Sequence, residues 1–175
     1  MKQFLNSFAR NCALVVGPLL TSTLLGACAA PATAEVDAVI SAPVSMQCLD
    51  IEGRSHDPSK VLASGKPVAL VFWQSWCGSC VAEAPHVEQA RRKFGERIEF
   101  YGVVSGPDQS VDEAAVRKVV FQNQLQYTQL RDRDGALSKH FSVQSTPTIV
   151  IIGADRQVLY SGHTLPEDWN RLLAK

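Results

Sequence analysis

The order of apolar and polar positions divides the 175-residue chain into strands alternating with helices. Val68 to Trp73 is an unbroken apolar run of strand length, the pattern of a strand buried on both faces. Ahead of it, Val44 to Ile51 reads as a strand and Glu52-Gly53-Arg54 as a turn. Pro58 to Leu62 reads as one helical turn, closed by Ser64-Gly65. A helix is expected from about Cys77 to Phe94, ending at Gly95, with Pro85 inside it to kink it. Ile98 to Val104 is the next strand, and Ser105-Gly106-Pro107-Asp108 a loop. Ser110-Val111-Asp112-Glu113 matches a capping box. Val111, Ala115, Val116, Val119 and Val120 then keep helical spacing through about Asn123. Tyr127 to Leu130 reads as a short strand, Asp134 to Phe141 as a short helix and Thr148 to Ile152 as a strand. Gly153-Ala154-Asp155-Arg156 turns the chain so that Gln157 to Ser161 pairs back as a hairpin, and Pro166 to Ala174 closes as a helix. This order predicts an α/β layer structure: a central mixed β-sheet flanked by helices, with an N-terminal strand and hairpin extension.

The N-terminus follows a different pattern. Lys2 and Arg10 precede the apolar stretch Ala13 to Leu25, and Leu25-Gly26-Ala27-Cys28 comes next. A basic start, a short apolar core and small residues form a secretory signal. A cysteine directly after Leu-Gly-Ala resembles the lipobox of bacterial lipoproteins. That resemblance implies that residues 1–27 are removed and that Cys28 is lipidated, becoming the new N-terminus. Two alternatives stand beside it: ordinary cleavage after Ala30 or Ala34, and an uncleaved membrane anchor. The apolar run contains Pro18 and several Thr and Ser, and is marginal for a span of about 20 residues. All three readings export the rest of the chain. Ala29, standing where sorting would place Asp, implies the outer membrane by analogy with lipoproteins. Residues 28–43, rich in Ala, Pro and Thr, read as a tether. Residues 44–175 form one expected domain, with no repeat and no second domain visible.

Charge excludes one class of partner. Lys2 and Arg10 are the only charges in the expected leader, so the remainder carries 15 basic and 17 acidic residues, a formal net charge of −2. Nothing in that balance favours nucleic acid. No long heptad argues for assembly, so a monomer is expected.

The chemistry is concentrated in Trp76-Cys77-Gly78-Ser79-Cys80, where the buried strand gives way to the helix. Side chains at i and i+3 of a helix lie about 5–6 Å apart at Cβ, on one face. A small adjustment lets the sulfurs bond, which makes the pair a thiol–disulfide switch. Cys77 sits at the helix N-terminus, where unpaired N–H groups and the helix dipole favour an attacking thiolate. The site also falls at the C-terminal end of a central strand, where open α/β sheets place their sites. Of the five cysteines, Cys12 leaves with the leader and Cys28 takes the lipid. Cys48 remains, an odd thiol read as buried and inert, with a redox or metal role as the alternative.

Together these residues resemble the thioredoxin superfamily, and more closely the exported TlpA/ResA-like thiol–disulfide oxidoreductases. The resemblance covers roughly Val44 to Lys175. It rests on the strand Val68 to Trp73, the motif Trp76 to Cys80, Pro85 five residues after the second cysteine, and Thr146-Pro147 before a late strand. It implies a thioredoxin-like fold, Pro147 as a cis-proline beside the cysteines, and Thr146 as a residue that pairs with a bound substrate strand. A plain trans proline is the alternative. Cytoplasmic thioredoxins carry a buried acid in the strand before the motif; the matching position here is Val71. The family's active-site glutamate matches Glu83 instead, three residues after Cys80 on the same helix face. Glu83 is therefore expected to be partly buried, with a raised pKa, and to exchange protons with Cys80; a solvated surface glutamate is the alternative. Trp76 is expected to shield the site and contact substrate, and Trp73 to pack in the core.

The implied activity is reduction of client disulfides on the periplasmic side of a bacterial envelope, with no cofactor. The implied partners are client proteins such as apocytochrome c, a copper-site protein or damaged envelope thiols, and a membrane electron donor of the DsbD/CcdA type. Gly78-Ser79 lacks the histidine that stabilises the thiolate in strongly oxidising relatives, which favours a reductase. A thiol oxidase or isomerase is one rival. The other is a copper-binding chaperone of the SCO type, for which His163 would be the distant ligand, although that family spaces its cysteines by three residues. His56, His86 and His140 read as surface or core residues. A zinc site built on Cys48, Cys77, Cys80 and a histidine has no second cysteine pair to support it.

Overall fold

The computed structural model describes residues 40–174. The expected leader, Cys12, Cys28 and most of the tether lie outside the described residues. Strand β1 (Cys48–Asp50) and β2 (Ser55–His56) form a hairpin that leads into helix α1 (Pro58–Ala63). The chain continues through β3 (Val68–Phe72), α2 (Gly78–Phe94), β4 (Glu99–Ser105), α3 (Glu113–Gln122) and β5 (Thr128–Asp132). It ends with α4 (Ala136–His140), β6 (Thr148–Ile152), β7 (Val158–Gly162) and α5 (Trp169–Leu172).

The strands make one mixed sheet in the order β2-β1-β5-β4-β3-β6-β7. β3, β4 and β5 are parallel, while β6 runs antiparallel to β3 and β7 antiparallel to β6. The expected α/β class and the N-terminal hairpin extension are both present. All five residues of β3 are buried, as its continuous apolar run requires. Val68, Leu70 and Phe72 face a core completed by Leu62 of α1 and by Leu137 and Phe141 around α4. Ala69 and Val71 face the opposite core, with Ala84, Val87 and Ala90 of α2 and Trp169 of α5. This period of two is what lets a single strand hold both helical layers. Trp169 stacks on Phe94 with ring centroids 4.9 Å apart, which seats α5 against the end of α2.

Three of the differences from the sequence expectation are explained by their hydrogen bonds. The first strand covers only Cys48–Asp50, because the Met46 N–H is given to Asp57 Oδ1 at 3.0 Å. Asp57 is also the N-cap of α1, so this backbone serves the helix instead of a sheet ladder. Helix α3 starts at Glu113, capped by Asp112, whose Oδ1 accepts the Ala115 N–H at 3.0 Å. Ser110 closes a 3₁₀ turn instead, donating Oγ–H to the Pro107 carbonyl. A carboxylate nearer the apolar run outcompetes the hydroxyl for the first free N–H groups. Helix α5 is confined to Trp169–Leu172, since Asp168 caps it and starts it three residues after Pro166.

Candidate active site

The C-terminal end of β3 meets the end of β4 and the start of β6, with Phe72 paired to Val103 on one side and Thr148 on the other. The cysteine motif leaves the sheet at this corner. Trp73 N–H still bonds to the Val103 carbonyl at 3.0 Å, and the next residues turn into α2. Gln74 shapes that turn from both ends of its structure. Its carbonyl accepts the Cys77 N–H at 3.2 Å, and its side-chain amide donates to the Ser105 carbonyl at 2.7 Å.

Cys77 is the N-cap of α2, with an extended backbone. Its Sγ accepts the Cys80 N–H at 3.2 Å and lies 3.3 Å from Ser79 Oγ. It is bonded to Cys80 in a disulfide whose Cα atoms are 5.2 Å apart. Both residues are buried in this state, Cys80 more deeply. A cap position is where helical N–H groups lack intrahelical partners, so a sulfur there can take negative charge.

Thr146-Pro147 closes the site from the opposite side. The bond between them is cis, and the Thr146 carbonyl oxygen stands 3.5 Å from Cys77 Sγ. Cys80, Glu83 and Pro147 line one crevice with Val71, Trp73 and Tyr127. The Glu83 side chain is 20% exposed and pairs with His86 Nδ1 at 3.3 Å. The sequence-selected residues Cys77, Cys80, Glu83, Thr146 and Pro147 are thus brought to one place. Trp76 stands beside them, 76% exposed, on the solvent side of the motif.

Trp73 is buried, and its indole N–H donates to Gln129 Oε1 at 2.9 Å. Gln129 in turn donates to the Tyr127 carbonyl. A Cβ on Gly102 would overlap Gln129 Oε1, so the glycine leaves the space this buried pair occupies. Burial of Tyr127, with the Glu88 charge near it, pushes its phenol well above the ordinary range.

The family model described as Redoxin matches residues 31–168. The chain belongs to the Redoxin family. Two relatives illustrate its neighbourhood. It is 33% identical over 91 residues to the soluble secreted antigen MPT53 of Mycobacterium tuberculosis, covering 52% of this chain and 50% of that protein. It is 29% identical over 111 residues to the thiol-disulfide oxidoreductase ResA of Bacillus thuringiensis, covering 63% of this chain and 61% of that one. The chain spans half to somewhat under two thirds of the length of the curated relatives it matches. The fold superimposes on the crystal structure of a secreted M. tuberculosis disulfide oxidoreductase homologous to E. coli DsbE, with a TM-score of 0.61 and 26% identity. That match covers 73% of this chain and 93% of the other. The thioredoxin-like fold and the kinship to ResA-like proteins follow from these matches.

Other residues of this Redoxin domain fall away from the cysteines. Cys48 packs at the edge of the core that holds α1 and α4. Burial pushes its thiol up to about 11, with Asp132, Asp134 and Asp57 adding to the effect. It is a protonated, poor nucleophile near neutral pH. His56 pairs with Asp50, and His140 bonds to the Ser41 carbonyl. Among the described residues, no group of three or more His, Cys, Asp or Glu side chains could hold a metal ion.

The sequence did not single out the polar frame beneath the site. Arg131 has no exposed side-chain surface and donates to the Val104 and Gly106 carbonyls at 2.7 and 3.1 Å. It also pairs with Asp108 and Glu113, each at 3.2 Å. Asp132 accepts from the Leu137 and Ser138 N–H groups and from Ser105 Oγ. These two residues tie the end of β4, which Gln74 touches, and the loop after it to β5, α3 and α4. The available signal was polar residues continuing a strand past Leu130. Sequence pattern reads that as a strand end, because burial of charge shows only once its partners are in place.

Proposed function

We propose that this chain is a protein-disulfide reductase of the bacterial cell envelope, working through Cys77 and Cys80. One observation carries the proposal: Cys77 Sγ caps α2, beside exposed Trp76 and 3.5 Å from the Thr146 carbonyl. A nucleophile is thereby placed where an extended client segment can lie across Trp76, Thr146 and Pro147.

In the reduced pair, Cys77 is the attacking thiolate. It bonds to one sulfur of a client disulfide, and the other client sulfur leaves and takes a proton. Cys80 then gives up its proton to Glu83 and attacks Cys77 Sγ. The client's second sulfur leaves, and two electrons have passed from the pair to the client. The product is the Cys77–Cys80 disulfide, which a membrane donor of the DsbD/CcdA type re-reduces. Residues 1–27 act as leader, Cys28 carries the lipid on the periplasmic side with the outer membrane as destination, residues 28–43 form the tether and 44–175 the catalytic domain. Two relatives support this reading: MPT53 is a secreted antigen, which favours an exported setting, and ResA is a thiol-disulfide oxidoreductase, which favours the chemistry. Apocytochrome c is one client that fits such a setting.

One contact favours the opposite direction. Ser79 Oγ at 3.3 Å from Cys77 Sγ can donate to a thiolate and so stabilise the reduced form, as an oxidase requires. The reduction potential of the Cys77–Cys80 pair decides between them. A value at or below about −230 mV supports the reductase, and one near −120 mV makes the protein an oxidant and overturns the proposed direction.

A further inference from the structure

The segment that faces Cys77 is held in place by a residue from outside its own loop. The last paired residues of β6 and β7 are Ile149 and Gly162. His163 comes immediately after, opposite the start of β6. Where main-chain pairing stops, its imidazole continues the connection: Nδ1 lies 2.8 Å from the Pro147 carbonyl oxygen. A carbonyl oxygen only accepts, so the hydrogen belongs to Nδ1 and the neutral ring is fixed as the Nδ1–H tautomer. Thr148 Oγ1 stands 3.5 Å from the same nitrogen. Its own hydrogen goes to the Ser145 carbonyl at 2.7 Å, so it meets Nδ1–H as a second acceptor. The turn Ser145 to Thr148 is therefore closed by two side chains, one internal and one supplied by His163. His163 is exposed, so core packing does not impose this bond.

We propose that His163 is a positioning residue for client docking: its Nδ1–H fixes the Pro147 carbonyl and so sets the neighbouring Thr146 peptide against Cys77 Sγ. The proposal rests on the reductase reading and extends it to a residue that touches neither sulfur. Small disulfides reach Cys77 without lying along Thr146. Only extended protein clients should register the loss of His163.

The test compares the full chain with its His163→Ala and His163→Asn variants. Insulin serves as the protein client and 5,5′-dithiobis(2-nitrobenzoic acid) as the small disulfide. In His163→Ala the KM for insulin should rise about three- to tenfold, the range of one lost neutral hydrogen bond, with kcat nearly unchanged. Turnover of the small disulfide should stay at the wild-type rate. His163→Asn, whose side-chain amide can donate to the same carbonyl, should restore the KM. An unchanged insulin KM in His163→Ala overturns the proposal, as does an equal loss on both substrates. Imidazole ¹⁵N spectra of the wild-type protein test the bond without any turnover. An Nδ1–H tautomer is expected, and an Nε2–H tautomer overturns the positioning role by itself. A wild-type protein that keeps the Nδ1–H tautomer yet leaves insulin intact removes the proposed function, and the docking role with it.

Discussion

Cys77 and Cys80 share one helical turn but have different surroundings. Cys77 has a backbone N–H and a hydroxyl aimed at its sulfur, whereas Cys80 faces the crevice lined by Glu83, Trp73 and Pro147. The first environment suits attack and the second a late proton transfer. Cys77→Ser should abolish exchange, while Cys80→Ser should accumulate a mixed disulfide with the client that non-reducing gels detect. If Cys80→Ser turns over clients normally, the assigned order is wrong. Ser79→Ala removes a donor that favours the thiolate, so the potential should become more negative. A bond of about 0.5–1.5 kcal/mol corresponds to roughly 10–30 mV in this two-electron couple. A shift to less negative values would show that Ser79 does not hold the thiolate. Glu83→Gln leaves the shape of the crevice but takes away the carboxylate. Release of the client from the mixed disulfide should slow by on the order of 10²-fold in single turnover, and an unchanged rate would end the proton-transfer role.

At the scale of elements, the β1–β2 hairpin is stitched by one carboxylate. Asp50 is almost fully buried and accepts from the Glu52 and Arg54 N–H groups, the Arg54 guanidinium and His56. Burial alone would raise its pKa, but these donors outweigh it and bring the carboxyl from 3.8 down to about 2. The folded pKa is the lower one, so the contribution is complete above the unfolded value and is lost as pH falls from about 4 through about 2. A shift of this size is worth about 2 kcal/mol. Asp50→Asn should lower stability by about that amount at pH 7 and flatten the acid limb of the stability curve, read by urea unfolding between pH 2 and 7. An acid limb as steep as wild type would remove Asp50 as its source. A second test concerns β4. Gly102→Ala would push Gln129 off Trp73 and leave buried polar groups unpaired, at a cost of about 1–3 kcal/mol in denaturant unfolding. The burial of β3 on both faces, the closure of α1 at Ser64-Gly65 and the end of α2 at Gly95 were legible in the sequence. Gln129, 56 residues from Trp73, was not, because no local period records a partner that distant.

For the molecule as a whole, redox direction and folding stability are two sides of one cycle. The free energy of closing the disulfide in the folded protein differs from that in the unfolded chain by the difference in stability between oxidised and reduced forms. A fold that stabilises the Cys77 thiolate strongly is therefore more stable reduced, which defines an oxidant. Here the sheet places Val71, not an acid, in the crevice beside Cys80, and the residues between the cysteines carry no charge. The sequence already displayed those positions, together with the motif and the Thr146-Pro147 dipeptide. It could not display the frame of Gln74, Arg131 and Asp132 or the bond from His163 to Pro147, since each joins segments that meet only in the folded sheet. No charged residue between the cysteines holds the thiolate, so little stability should depend on it. Closing the disulfide also restricts the unfolded chain, which adds to the oxidised form's advantage. The oxidised protein should thus unfold at a higher denaturant midpoint than the same protein kept in dithiothreitol, with similar slopes in both. The reverse order would place the stabilising effort on the thiolate and make the protein a donor of disulfides, in conflict with a reductase.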